Sequence, residues 1–246
     1  MKNLSEKVAV VTGSSKGIGA AIALKLAEAG AKVIVNYSGN QAAADEVVAQ
    51  ITSNGGEAFA IKANVSKKEE ISRLFAESIA HFGKVDIWVN NAGVMLNNFI
   101  KDLSEEQMEK QIDINFKGVF YSLQQAATKL ADNGSIINLS STVTRTIFPT
   151  YGVYAATKAA VEQMSRIFAK EIGARGINVN CVLPGPTGTD LFLDGKSEEQ
   201  IAQLAGTNAF KRLGTPNDIA QVVAFLATDD AKWITGQSIG ANGGMA

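Results

Sequence analysis

Tyr154 and Lys158 stand four residues apart in Tyr154-Ala-Ala-Thr-Lys158, with Ser141 thirteen residues before the tyrosine. In a helix that spacing stacks the two side chains on one face. A cation beside a phenol favours its ionised form and makes it a readier proton exchanger. A lysine charge about 5 Å away, at an effective dielectric of about 20, contributes roughly 3 kcal/mol. That is about two pKa units below the ~10 of a free tyrosine, enough for general acid–base work. What the proton transfer is coupled to is indicated by Thr12-Gly-Ser-Ser-Lys-Gly-Ile-Gly19 near the start of the chain. Gly13, Gly17 and Gly19 follow an apolar run and precede a helical pattern. There a tight turn lets backbone N–H groups and a helix N-terminus approach a pyrophosphate. Their spacing, G-x-x-x-G-x-G, differs from the G-x-G-x-x-G dinucleotide fingerprint.

These groups must be held by alternating strands and helices. Strands are expected at Lys7–Val11, Lys32–Asn36, Ala58–Ala63, Val85–Val89, Ser135–Leu139, Ile177–Leu183 and Ser238–Ala241. Helices are expected near Ile18–Ala29, Gln41–Ser53, Lys67–Phe82, Glu105–Ala131, Tyr154–Gly173 and Pro216–Ala227. Runs such as Val8-Ala-Val-Val and Val33-Ile-Val are apolar throughout, as strands covered on both faces are. Strict alternation predicts an α/β fold, a Rossmann-type doubly wound parallel sheet of about seven strands with helices on both faces. Gly30 and Gly83 follow helices, and Ser104-Glu-Glu-Gln107 is a capping box opening the fourth. No repeat or linker interrupts residues 1–246, which read as a single domain.

The 246 residues carry 23 basic and 24 acidic side chains, dispersed along the chain. They give no basic footprint for nucleic acid or an anionic membrane. The polar segment Met1–Lys7 and the short run Val8–Val11 resemble neither a signal peptide nor a membrane span. Cys181 is the one cysteine, compatible with a reducing compartment, and the chain reads as cytoplasmic. One histidine, His81, and one cysteine make no metal cluster, so no metal is expected. Cys181 reads as inert strand packing, and there is no G-x-S-x-G elbow.

The end of the second strand bears on the cofactor. An NAD site usually carries an acid about 20 residues beyond the glycines, bonded to the ribose 2′-hydroxyl. Here the strand ends Asn36-Tyr37-Ser38, and the next acid, Asp45, falls inside a helix. No carboxylate would repel a 2′-phosphate, Lys16 supplies a cation in the loop, and Ser38 a donor, so NADP(H) is expected.

Taken together, Thr12-Gly13…Gly17…Gly19, Asn90-Asn-Ala-Gly93, Ser141 and Tyr154…Lys158 resemble the short-chain dehydrogenase/reductase family over the whole length, through the closing Asn242-Gly-Gly-Met245. The resemblance implies a catalytic tetrad of Asn115, Ser141, Tyr154 and Lys158. Ser141 is chosen over Ser140 on family spacing alone. It would bond the substrate oxygen, Lys158 the nicotinamide ribose, and Asn115 a water leading to Lys158. The implied cofactor residues are Gly13, Ser15, Lys16, Gly17, Ile18 and Gly19, then Asn36, Tyr37 and Ser38. Asn64, Val65, Asn91, Ala92, Gly93, Tyr154, Lys158, Pro184, Gly185, Thr187 and Thr189 complete the set, and Asn90 would line the cofactor side of its strand. Asn64 stands where many members have Asp, its amide carbonyl taking over the bond to the adenine amine.

The resemblance also places a substrate lid near residues 188–212. Leu191, Phe192, Leu193, Leu204, Phe210, Ile147 and Phe148 suggest an apolar mouth for a bulky, uncharged ketone or alcohol. The expected activity is reversible carbonyl reduction. A beta-ketoacyl-ACP reductase is the alternative: Arg175 matches a carrier-docking position, but Asp132 would face an acidic partner. A non-catalytic redox sensor is the alternative of another class. Apolar Ala160, Met164 and Ile167 widen the face of the tyrosine helix, and a homotetramer is expected from the family.

Overall fold

Seven strands form one parallel sheet in the order β3-β2-β1-β4-β5-β6-β7 in a computed structural model, which describes residues 4–246. The strands are β1 Val8–Val11, β2 Lys32–Tyr37, β3 Ala58–Lys62, β4 Ile87–Asn90, β5 Ser135–Leu139, β6 Asn178–Pro184 and β7 Ser238–Ala241. Residues 1–3 of the polar leading segment lie outside the described residues. The chain winds outward from β1 through β2 to β3, then returns to β4 on the other side of β1 and continues to β7. The strand order therefore reverses between β1 and β4, and a crevice opens beyond their carboxyl ends.

The helices are α1 Gly17–Glu28, α2 Gln41–Ser53, α3 Lys68–Phe82, α4 Glu105–Gln111, α5 Gly118–Lys129, α6 Gly152–Ile172, α7 Asp190–Leu193, α8 Glu198–Ala205 and α9 Pro216–Ala227. One core joins α1, α2 and α9 to the sheet through Ile22, Leu26, Val33, Val35 and Val223. The other, under α3, α5 and α6, holds Phe75, Trp88, Val161 and Phe168. Trp88 on β4 stacks on Phe75 of α3 with ring centroids 3.9 Å apart and planes 2° from parallel. β1, β4 and β5 are buried at every position, which explains the apolar runs Val8–Val11 and residues 87–89, while the polar Asn90, Ser135 and Asn138 are buried with them.

The strand–helix alternation follows the sequence expectation, and the boundaries move by a few residues. Gly83 caps α3 at φ 84, and Ser104 with Gln107 forms the capping box of α4. The stretch expected as one helix over Glu105–Ala131 is interrupted by a π-helical segment, Ile112–Lys117. The short helices α7 and α8 within residues 188–212 carry no sequence expectation.

Candidate active site

A cleft of about 1260 Å³ runs across the carboxyl ends of β1, β4, β5 and β6. Its lining includes every residue of the expected cofactor set, from Gly13 to Thr189, together with Ser141, Tyr154 and Lys158.

At one end the turn after β1 forms a cradle. Gly13 and Gly17 have φ of 60 and 58, a region that favours glycine. A Cβ at Gly19 would lie 2.4 Å from Asn91 Nδ2 and 2.5 Å from the Gly13 carbonyl, so the helix can begin there only without a side chain. Asn91 Nδ2 donates to the carbonyls of Thr12 and Gly13, and Thr12 Oγ1 accepts from the N–H groups of Asn91 and Ala92. No side chain caps the start of α1, and no acid lies in its first turn. The first-turn N–H groups are thus left to an anion from outside the chain, and these residues fit a nucleotide pyrophosphate.

Asn36 and Asn64 both line the cleft and also bond within the chain. Asn36 is buried; its Oδ1 accepts from Gly13 N–H and its Nδ2 donates to the carbonyls of Ile61 and Ala63. It ties the glycine turn to β3. Asn64 Oδ1 already accepts from the N–H and hydroxyl of Ser66, so the carbonyl proposed for an adenine amine is engaged in its own turn. Tyr37 is buried and Ser38 exposed, and no acid ends β2. Lys16 Nζ sits 3.3 Å from the Asp190 carboxylate, and both side chains are largely exposed at the cleft mouth.

At the other end stand Ser141, Tyr154 and Lys158. Ser141 follows β5, while Tyr154 and Lys158 share one face of α6. Lys158 Nζ donates to the Leu139 carbonyl at 2.8 Å and lies 5.8 Å from the Tyr154 ring centroid. The two hydroxyls after β5 separate cleanly. Both residues line the cleft, but the Ser140 hydroxyl is directed at Glu162 and the Lys158 carbonyl, whereas the Ser141 hydroxyl bonds the Tyr154 phenol.

The acidity expected of Tyr154 is reversed. Although the residue is only part-buried, its phenol lies deep enough that burial pushes it up to about 12, against a smaller lowering by the Ser141 hydrogen bond. Burial also draws Lys158 down to about 8. Desolvation outweighs the expected lysine field because the ammonium is directed at a strand carbonyl and not at the phenolic oxygen.

Asn115 lies fully buried in the π-helical segment and does not line the cleft. Its amide pairs with the backbone of Val94, accepting from the N–H at 2.9 Å and donating to the carbonyl at 2.8 Å. Gly93 lies between it and Lys158: a Cβ there would be 3.3 Å from Asn115 Oδ1 and 3.5 Å from Lys158 Nζ.

A family profile described as Enoyl-(Acyl carrier protein) reductase matches residues 13–246. A short-chain dehydrogenase/reductase from Serratia marcescens superposes with a TM-score of 0.95 at 37% identity over 99% of both chains. The chain belongs to the short-chain dehydrogenase/reductase family. An uncharacterised oxidoreductase of Methylorubrum extorquens is 46% identical over 100% of both sequences. A 3-oxoacyl-(acyl-carrier-protein) reductase of Staphylococcus epidermidis is 44% identical over 97% of this chain and 98% of its own. The angucycline C-6 ketoreductase LanV, solved with bound NADP, gives a TM-score of 0.93 at 40% identity, covering 99% of this chain and 96% of that one.

Within this short-chain dehydrogenase/reductase, three further expectations need correction, those for Asn90, Ile147 and Phe210. Asn90 is buried beneath the cleft, accepting from Trp88 Nε1 and Ser122 Oγ and donating to Asn138 Oδ1. Phe148, Leu191, Phe192, Leu193 and Leu204 line the cleft; Ile147 points outward, 99% exposed, and Phe210 lines a separate hollow. Arg175 is tied to the Asp132 carboxylate at 2.6 Å and to the carbonyls of Ala127 and Leu130. Cys181 is buried, its thiol pushed up to about 11 by that burial, as inert packing requires. His81 stacks on Phe59 at 4.1 Å. Among the described residues no metal-ligating cluster occurs, and no helix is long and apolar enough to cross a membrane. Sequence reasoning missed Glu162, although its place one turn beyond Lys158 was a usable signal.

Proposed function

We propose that this chain is an NADPH-dependent ketoreductase acting on a bulky, uncharged ketone, the reverse alcohol oxidation using the same groups. The observation that carries it is the meeting of Ser141, Tyr154 and Lys158 with the uncapped glycine cradle in one cleft. When bound, NADPH supplies the hydride. The phenol of Tyr154, protonated because burial holds it near 12, donates its proton to the ketone oxygen. Ser141 donates a hydrogen bond to that oxygen, stabilising the charge that develops there. Lys158 fixes the end of β5 against α6 and holds its charge beside the phenol ring. Asn115, paired with Val94, supports the backbone next to Gly93.

NADP(H) is favoured over NAD(H) by the acid-free end of β2 and by Lys16 at the cleft mouth, and the relative LanV was solved with NADP. We read residues 1–246 as one catalytic domain with residues 188–212 as the lid; Phe148, Tyr151, Phe192, Leu193 and Leu204 give it an apolar wall. Half-exposed Ile167, Phe120 and Phe225 fit the homotetramer expected of the family, and the lone buried thiol fits a cytoplasmic protein.

A carrier-linked thioester reductase is the second reading, favoured by the 44% identity to the Staphylococcus epidermidis reductase. Against it, the guanidinium of Arg175 is already occupied by Asp132 and two carbonyls. NADPH oxidation measured over aryl ketones, beta-keto esters, diketones and an acetoacetyl thioester tests both. Preference for free ketones is expected; a thioester preference would reverse the ranking. NADPH binding without any ketone-dependent oxidation would leave only the redox-sensor reading.

A further inference from the structure

Glu162 lies on α6 at one-turn steps from Tyr154 and Lys158, so all three share a face. It is 3% exposed, its carboxylate accepts from three residues of the segment that carries Ser141, and Ser238 of β7 is a weaker neighbour. Oε1 accepts from Ser140 Oγ at 2.8 Å and from Thr144 Oγ1 at 2.7 Å, and Oε2 from Arg145. Those donors bracket Ser141 on both sides. Thr144 Oγ1 also contacts the Ser141 carbonyl at 3.0 Å, and Arg145 donates to Thr144 Oγ1 at 3.0 Å.

A buried carboxylate is costly unless several donors converge on it, and an apolar replacement of such a cluster is often no less stable. Here burial pushes the carboxyl up, yet the bonds from Thr144, Ser140 and Arg145 outweigh it and hold it below the ordinary range. What the charge adds is direction: a salt-bridged carboxylate fixes the turn after β5 at one height along α6.

We propose that Glu162 is a positioning residue, clamping the turn that carries Ser141 to the helix that carries Tyr154 and Lys158. The catalytic part of this inference rests on the ketoreductase reading above; the clamp itself does not.

The test is a double-mutant cycle with Glu162→Gln and Ser141→Ala, joined to hydrogen exchange of the cofactor-free protein. In Glu162→Gln, exchange is expected to rise in residues 140–146 and stay unchanged in the glycine loop, with the NADPH dissociation constant within about twofold. Its kcat is expected to fall about 10- to 100-fold with KM nearly unchanged, the range of a mispositioned catalytic group. In the Ser141→Ala background the same change is expected to cost less than about twofold, because contacting residues are not additive. An equal loss in both backgrounds, or unchanged exchange in residues 140–146, overturns the proposal. If Glu162→Gln does not fold, Thr144→Val removes one donor to the same oxygen and enters the same cycle. If the wild type turns over no ketone, the function reading fails and the exchange measurement alone decides the clamp.

Discussion

The ammonium of Lys158 donates to the carbonyl of Leu139, the last residue of β5, at 2.8 Å. A residue chosen from its spacing to Tyr154 is thereby bonded first to the strand that presents Ser141. The bond joins the two elements that carry the proposed catalytic side chains, and Ser140 Oγ, 3.3 Å from the Lys158 carbonyl, joins them again. Burial and the meeting of β5 with α6 therefore set the protonation of the proposed Tyr154–Lys158 pair.

Replacing Tyr154 by Phe keeps the ring and removes the acid. Turnover of the ketone is expected to fall by about two to four orders of magnitude, the range of a lost general acid. NADPH affinity, measured by fluorescence titration, should stay within about threefold because the cradle is untouched. Retained turnover would assign the proton to another group.

The pH dependence follows from Lys158. Its pKa is lowered by burial to about 8, and that of Tyr154 raised to about 12, so the phenol keeps its proton while the lysine loses its charge near 8. The kcat/KM for NADPH, which reports groups of the free enzyme, is expected to decline about tenfold per pH unit above that point. In the unfolded chain the same lysine holds its proton up to about 10.5, so its contribution to stability rises with pH between about 8 and 10.5. A rate profile level to about pH 10 would show that the charge on Lys158 is not used.

Much of this site was legible in the residues because the strand–turn–helix order fixes where side chains emerge. The glycine turn, the Tyr154–Lys158 face and the acid-free end of β2 are local patterns, and each appears in the cleft. What could not be read depended on tertiary neighbours. The π-helical segment at Ile112–Lys117 turns Asn115 onto the backbone of Val94, a contact across twenty-one positions with no sequence signature. The family resemblance puts Asn90 on the cofactor side of its strand, but its amide bonds Asn138 and Ser122 beneath the cleft instead. Ile147 is apolar and follows the serine strand, which suggests the cleft mouth, but the turn after Ser141 carries it outward.

Asn115 offers a stability test. Its amide satisfies both polar groups of Val94 in a part-buried site. Asn115→Ala leaves that N–H and carbonyl unpaired, at about 1–3 kcal/mol each where water cannot reach them. For a chain of this length each kcal/mol is about 2–4 °C of Tm, so scanning calorimetry should record a drop of several degrees. An unchanged Tm would mean that water replaces the amide without cost.

Lys16 and Asp190 form an exposed pair, and such pairs add little to stability. Asp190→Asn should leave Tm unchanged and free the lysine for the 2′-phosphate, lowering KM for NADPH by about two- to fivefold. Lys16→Ala should raise KM for NADPH while leaving that for NADH alone. Equal effects on the two cofactors would remove Lys16 from phosphate recognition.

Two glycines, one at each end of the architecture, separate close approach from mere flexibility. At Gly19 a methyl group would meet Asn91 Nδ2 at 2.4 Å and the Gly13 carbonyl at 2.5 Å, and the carbonyl belongs to the backbone of the cradle. Gly19→Ala must push the turn away from α1, an overpacking cost of about 1–3 kcal/mol with loss of the N–H geometry that holds the pyrophosphate. Gly173, which ends α6, has φ −58 and ψ −31, and nothing lies within 4 Å of a Cβ built there. Gly173→Ala should instead stabilise by about 0.4–1 kcal/mol, because the unfolded chain loses freedom that the folded one never used. Thermal melts with and without NADPH check both: the ligand-induced rise in Tm should vanish in Gly19→Ala and persist in Gly173→Ala. A Gly19→Ala protein that still gained stability from NADPH would show that the cradle tolerates a side chain at its closest point.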